Sequence, residues 1–262
     1  MSFKFQILGT SSSGNCSVLK TPACTVLIDA GFSGKKIRRG LGDLGIAFSR
    51  IDAIFFTHEH SDHSAGIPGI TASEHCPRLF ANKGTAGEIN RRYKKEKMIG
   101  WNIFENGTTF EFKDLKVTPF SVPHDAQDTC GYVFECAGEK LAWMTDCGKI
   151  TNIARQKLAD CDFLVLESNF DPELLNRSAR PEELKNRIRG LHGHLSNGQC
   201  ANFLQEYDNP RLKTIFFGHV SEECNAVEKI RETSLAAVSN RNIRAEIICP
   251  TDFMPDNGGF GF

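Results

Sequence analysis

The chain has 262 residues, 40% of them hydrophobic and 24% charged, with 31 basic side chains against 32 acidic ones and a net charge of −1. That length suits one large, well-filled domain better than two small ones. The balanced charge excludes a global field that would draw the chain to DNA or to anionic lipid, so a polyanion has to be met by local clusters.

Phe3, Phe5 and Ile7 alternate and predict a first strand ending at Gly9. The start of the chain, Met1 to Gln6, runs into that strand rather than forming a signal peptide, and no apolar run reaches the length of a membrane span. The expectation is a soluble, cytoplasmic protein with no membrane partner. The segment Gly9 to Ser17 carries little but hydroxyls and glycines, which reads either as a tight turn between paired strands or as a backbone cradle for phosphate oxygens.

Thr25 to Asp29 is a buried strand ended by Ala30-Gly31, and Ser33 caps a helix with Ile37, Leu41 and Leu44 on one face. The apolar run Ile51 to Phe56 then delivers Thr57-His58-Glu59-His60-Ser61-Asp62-His63 into one turn. His58 and His60, two apart in extended backbone, point the same way and can share a cation. Asp62 and His63 lie where the chain turns into a helix, aimed at a second position. Such spacing suits two ions roughly 3.5–4 Å apart, and imidazole with carboxylate suits zinc, manganese or iron.

Ser64 to Cys76 reads as a helix interrupted by Pro68 and carrying His75, and Arg78 to Phe80 as a short strand. Lys83 to Lys97 is a polar helix with Arg91, Arg92, Lys94, Lys95 and Lys97 close together: a solvated face, or a phosphate-tracking arm if it flanks the cleft. Five strands follow with turns between them, at Trp101 to Phe104, Thr109 to Phe112, Leu115 to Val122, Thr129 to Cys136 and Lys140 to Thr145. Then come a helix at Asn152 to Ala159 and a strand at Asp162 to Leu166. Next is a helix opened by Pro181, with Leu184, Ile188 and Leu191 on one side and Lys185, Arg187 and Arg189 on the others. Ser196 caps another helix, Thr214 to Phe217 is a strand, a helix passes through Val227 and Ile230, and Ile243 to Cys249 is the last strand. Beyond Pro250, residues 251–262 read as a loose tail. Hairpins with helices at each end imply two sheets packed face to face under outer helices.

Ten cysteines form no C-x-x-C pair and read as buried free thiols of a reducing compartment. Cys147 is the one beside presumed chemistry. His124, Asp146 and His219 each sit just past a strand, where a loop can turn a side chain into a cleft at the sheet edge.

His58-x-His60-x-Asp62-His63 after an apolar strand resembles the signature of the metallo-β-lactamase superfamily, over most of the chain. The resemblance implies a four-layer αββα sandwich of two mixed sheets (an α/β fold) filling residues 1–262 as one domain, since the elements between Asp146 and His219 leave no room for an inserted β-CASP domain. It implies two divalent metal ions, zinc or manganese with iron a further candidate. His58, His60 and His124 would hold one ion, Asp62, His63 and His219 the other, and Asp146 would bridge them, with Asp29 supporting the histidine loop. Two cations sharing a water lower its pKa toward neutrality, which makes hydroxide available to attack phosphorus, with Asp62 orienting it.

Leu166-Glu167-Ser168-Asn169-Phe170 and Gly193-His194-Leu195-Ser196 resemble the arrangement in ribonuclease Z-type phosphodiesterases, where a glutamate orients a histidine that protonates the leaving oxygen. Here Leu195 splits the usual His-Ser pair, and His192 could compete for the role. Together with the Gly9 to Ser17 loop and Gly218 to Asn225, these stretches look closest to the YycJ/WalJ-like branch. That implies a phosphodiesterase or exonuclease acting on nucleic acid, DNA before RNA, with catalytic residues Asp62, Glu167 and His194. The competing reading is a hydrolase of a small ester, thioester or lactam, which needs the metals but not the Glu167–His194 pair. The oligomeric state stays open between a single chain and a homodimer.

Overall fold

The computed structural model describes residues 3–94, 99–240, 243–247 and 259–261. In chain order its strands are β1 (Lys4–Ser11), β2 (Gly14–Lys20), β3 (Thr25–Ile28), β4 (Ala53–Phe55), β5 (Arg78–Asn82), β6 (Trp101–Phe104), β7 (Phe110–Phe112), β8 (Leu115–Ser121), β9 (Cys130–Cys136), β10 (Glu139–Met144), β11 (Phe163–Glu167), β12 (Thr214–Gly218), β13 (Arg244–Ile247) and β14 (Gly259–Phe260). They form two mixed sheets of seven, ordered β14-β1-β2-β3-β4-β5-β6 and β13-β12-β11-β10-β9-β8-β7. From β3 to β6 and from β10 to β13 the neighbours are parallel.

Alternation along the strands builds three apolar layers. Val26, Ile28 and Phe55 face Leu141, Trp143, Val165 and Phe216 between the sheets. On the outer side of the first sheet, Leu27, Ile54 and Phe56 pack on Ile37, Leu41, Ile67 and Ile89 of the covering helices. On the outer side of the second, Ala142, Met144, Leu164, Leu166 and Phe217 pack on Leu158, Cys200, Phe203 and Leu204. Because successive side chains point to opposite faces, each central strand feeds two of these layers, and the order is helix, sheet, sheet, helix.

Several sequence expectations are corrected. Pro68 does not interrupt a helix: two short ones form, Ser61–Ser64 and Ile67–Thr71, and Pro68 sits in the first turn of the second, where its missing N–H costs nothing. His75 lies past that helix, and its Nε2 donates to Ile51 O at 2.8 Å. The helix Glu182–Arg189 ends at Gly190, so Leu191 leaves the apolar face and is 66% exposed. A helix at Pro172–Arg177 was not predicted, although Asp171 caps it and Pro172 opens it in the ordinary way.

The tail is not loose at its described end, for Gly259 and Phe260 pair antiparallel with Gln6 and Phe5. A Cβ on Gly259 would stand 2.3 Å from Phe5 O, so this approach needs glycine. The expected strand residues Ile248 and Cys249, most of the tail, and Lys95 and Lys97 lie outside the described residues.

Candidate metal centre

The histidine turn leaves β4 and is fixed from beneath by Asp29, which follows β3. Asp29 Oδ1 accepts from Thr57 N at 2.8 Å, and Oδ2 accepts from Thr57 Oγ1 at 2.9 Å and His63 Nδ1 at 2.8 Å. Ser64 Oγ closes the turn on the carbonyls of Glu59 and His60. Gly31 lets the segment after β3 pass close against the short helix Ser61–Ser64, since a Cβ on it would lie 1.6 Å from Asp62 O.

His58, His60 and His124 form one cluster. His60 Nδ1 is 3.1 Å from His58 Nε2 and 3.3 Å from His124 Nε2, close to the about 3.3 Å between imidazole nitrogens arranged tetrahedrally around one cation at roughly 2.0–2.1 Å. Their outer nitrogens fix the tautomers. His124 Nδ1 donates to Gly193 O at 3.1 Å. Thr57 Oγ1 gives its proton to Asp29 and therefore accepts from His58 Nδ1 at 3.0 Å. Both Nε2 atoms are left with lone pairs directed inward.

Asp62, His63, Asp146 and His219 form the second cluster. His63 Nε2 lies 3.3 Å from Asp62 Oδ2 and 3.4 Å from Asp146 Oδ2, and His219 Nε2 lies 3.2 Å from Asp146 Oδ1. Asp146 Oδ1 is also 3.8 Å from His124 Nε2, so this carboxylate stands between the clusters. His63 and His219 each give Nδ1–H to a carboxylate, Asp29 and Glu167 respectively, which again turns Nε2 inward.

Glu167, fully buried at the end of β11, holds the second sheet's contribution together. Its Oε1 accepts from His194 Nδ1 at 2.8 Å and His219 Nδ1 at 2.7 Å, and its Oε2 from Cys147 N at 3.1 Å and Leu195 N at 3.0 Å. Four donors fill its roughly four lone-pair positions, so Glu167 orients its neighbours rather than offering itself to a cation. Leu195, which splits the expected His-Ser pair, points into the outer core while its N–H serves Glu167, and Ser196 caps the helix Asn197–Glu206.

The donor set fits divalent metal. Asp146 Oδ2 and His219 Nε2 are buried without a hydrogen-bond partner, a cost that a cation between them removes. Burial, reinforced by the rings of His63, His124 and His60, keeps His58 well below the usual histidine range, so its lone pair is free at neutral pH. At the second cluster burial is outweighed: Asp146, Asp62 and Glu167 raise His219 to about 10, and Asp146, Asp62 and Asp29 raise His63. The field of these carboxylates demands positive charge.

Asp29, Asp146 and His219 all take left-handed backbone, with φ of 58°, 53° and 52°. Residues with a Cβ rarely adopt it, and here it turns the chain sharply at the ends of β3, β10 and β12. Nearly all of the parallel strands' contributions thus emerge at their carboxyl ends, where open sheets of this kind gather ligands.

Two residues escaped the sequence reading. Thr10 Oγ1 accepts from His219 N at 3.0 Å and donates to Asn15 Oδ1 at 2.9 Å, and Asn15 Nδ2 reaches His63 Nε2 at 3.0 Å and Asp62 Oδ2 at 3.4 Å. The hydroxyl-rich segment is therefore a hairpin whose side chains tie the two halves of the second cluster together. Its polarity was the only available signal.

Cys147 takes no part. Burial, with Glu167 nearby, pushes its thiol pKa far up, and its Sγ donates to Lys149 O. His192 is exposed and belongs to none of the clusters among the described residues. In the basic segment, Arg91 pairs with Glu88 and Arg92 donates to Glu59 O at 2.9 Å, bracing the histidine turn.

The two-sheet frame has solved counterparts. The metallo-β-lactamase fold protein YhfI from Bacillus subtilis aligns over 99% of both chains with a TM-score of 0.73 at 12% identity. The family model described as Beta-lactamase superfamily domain matches residues 25–216, and the chain belongs to that superfamily. Among curated relatives it is 34% identical over 253 residues to the exodeoxyribonuclease WalJ of Streptococcus pneumoniae, covering 96% of this chain and 92% of that one. It is 30% identical to the exodeoxyribonuclease YycJ of Bacillus anthracis, over 88% and 87% of the two chains.

Proposed function

We propose that this protein is a metal-dependent phosphodiesterase that degrades DNA as an exonuclease, and that its described residues work as one domain because both sheets supply the site. The relatives' activity supports the substrate. The observation that carries the reading is the Glu167–His194 pair, 2.8 Å apart, with the His194 ring 5.2 Å from the rings of both His124 and His219. Hydrolysis of a small ester, thioester or lactam would need the metals but not this pair.

His58, His60 and His124 hold one divalent ion, and Asp62, His63 and His219 hold a second, with Asp146 shared; zinc and manganese both suit these donors. When bound, two such cations lower the pKa of water and offset charge gathering on a phosphate. The remaining work belongs to the chain. The contacts of Asp62 run through Oδ2, leaving Oδ1 to orient the attacking water. His194 gives Nδ1–H to Glu167, so in the doubly protonated ring Nε2–H is the group that passes its proton to the leaving oxygen, which leaves the neutral Nδ1–H tautomer held by Glu167. Eight of the nine described cysteines are buried free thiols, while Cys76, expected to be buried, is exposed; unpaired thiols suit a reducing cytoplasm.

Replacing His194 with Ala is the test. Metal counted by mass spectrometry stays at the parent level, while cleavage of a labelled DNA strand slows by about 10²–10⁴-fold. Undiminished cleavage would sink the proposal.

A further inference from the structure

Beside His194 the surface opens into a cavity of about 130 Å³ whose polar lining is Ser12, Asp125, Asn169, Arg180, Arg187 and His194. It shares His194 with the metal centre but none of the metal clusters' other residues. Among the segments that meet there are the tip of the β1–β2 hairpin, the loop after the helix Pro172–Arg177, and the helix Glu182–Arg189. Two guanidinium groups face one lining carboxylate, Asp125, and that carboxylate is already engaged by Arg187. Arg180 Nε donates to Glu223 Oε2 at 2.9 Å and Arg187 Nε donates to Asp125 Oδ2. Each carboxylate engages its guanidinium through Nε alone, so the planes are fixed while the terminal amino groups have no protein acceptor among the described residues. Ser12 adds an exposed hydroxyl with no hydrogen-bond partner among the described residues, held at the lip because neighbouring Ser13 is tied to Glu222 at 3.0 Å.

We infer that this cavity receives the phosphate adjacent in the strand to the one being cleaved. A diester is a planar-fork ligand for arginine, and guanidinium groups already held in position give up less side-chain freedom on binding it. A chain whose net charge is −1 has no long-range pull on DNA, so the grip has to come from a few aimed cations such as these. The cavity's place beside the proton donor makes it a register device: with one phosphate seated, its neighbour lies at His194. The identity of the ligand rests on the nuclease reading above.

Binding separates the two ideas. A fluorescent phosphorothioate DNA strand, which resists cleavage, is titrated against the metal-loaded protein over a range of salt. Arg180→Ala should raise Kd about tenfold and lower the log–log salt slope by about one. Arg180→Lys should recover part of the loss, because the charge returns without the fork. Arg155→Ala, which removes the same charge from a distant helix where it pairs with Glu206, should leave both quantities unchanged. If Arg180→Ala binds like the parent, or Arg155→Ala weakens binding equally, the cavity is not a phosphate seat. If binding depends on Arg180 but the parent never cleaves an ordinary DNA strand, the nuclease reading fails and takes the register role with it, while the phosphate seat itself stands.

Discussion

His194 and His219 donate to the same oxygen of Glu167, at 2.8 and 2.7 Å. The proposed proton donor and a proposed metal ligand are thus aimed by one atom, and neither can turn without disturbing the other. Burial alone would raise Glu167, yet the two imidazoles hold it well below the usual carboxylate range, so it stays ionised.

Glu167→Gln should therefore do more harm than His194→Ala. An amide offers one acceptor oxygen where four N–H groups need two, and each donor left unsatisfied costs about 1–3 kcal/mol. Turnover should fall further than the about 10²–10⁴-fold expected of His194→Ala, and the metal content should drop as well. A variant with full metal and only the His194→Ala defect would restrict Glu167 to the proton donor.

The pH dependence of the chelated protein follows from His219. Its pKa is about 10 when folded, where Asp146, Asp62 and Glu167 overcome burial, against about 6.5 unfolded. A raised value gives stability that is fully present below pH about 6.5 and is lost as pH rises through 10. The melting temperature of the metal-free chain should accordingly fall across that window, and His63 adds in the same sense. Zinc loading near neutral pH should displace about two protons, read by calorimetry in buffers of different ionisation enthalpy. A melting temperature that climbs from pH 6.5 to 10 would contradict the charge assignment.

Thr10→Val tests the strut between the sheets. The shape is nearly kept, but His219 N–H and Asn15 Oδ1 both lose their partner, for about 1–3 kcal/mol each when buried. Denaturant melts should show the loss, and metal counting should show the second position weakened before the first. Equal weakening of both would make Thr10 a general stabiliser only.

Gly31→Ala and Gly42→Ala form a matched pair. A methyl at Gly31 meets Asp62 O at 1.6 Å and Asn15 N at 2.6 Å, whereas one at Gly42 meets nothing within 4 Å. The first should abolish metal retention or folding. The second lies in the helix Gly34–Asp43 and should stabilise by about 0.5–1 kcal/mol.

Much of this was legible beforehand because the site is built from strand ends. An apolar run followed by a polar residue marks a place where chain leaves the core, which is why His58, His124, Asp146 and His219 could be read in order, whereas Glu167 was found only through the resemblance to phosphodiesterases. What could not be read was anything that depends on two separate segments meeting. The double use of Glu167 needs β11 beside β12, and the reach of Thr10 to His219 crosses between sheets. Leu191 failed for a local reason: the apolar spacing continued past Gly190, but the backbone did not. The basic run at Arg91 and Arg92 read either as a solvated face or as a phosphate-tracking arm, and Arg91 pairs with Glu88 while Arg92 donates to Glu59 O.

The left-handed turns at Asp29, Asp146 and His219 set fitness against robustness. Glycine would relax the backbone at all three and delete a side chain on which the centre depends. A lineage selected for heat tolerance alone would drift toward that exchange and end with a sturdier but chemically inert sandwich. Persistence of these three residues in any hardened descendant would be a mark that the chemistry was still in use.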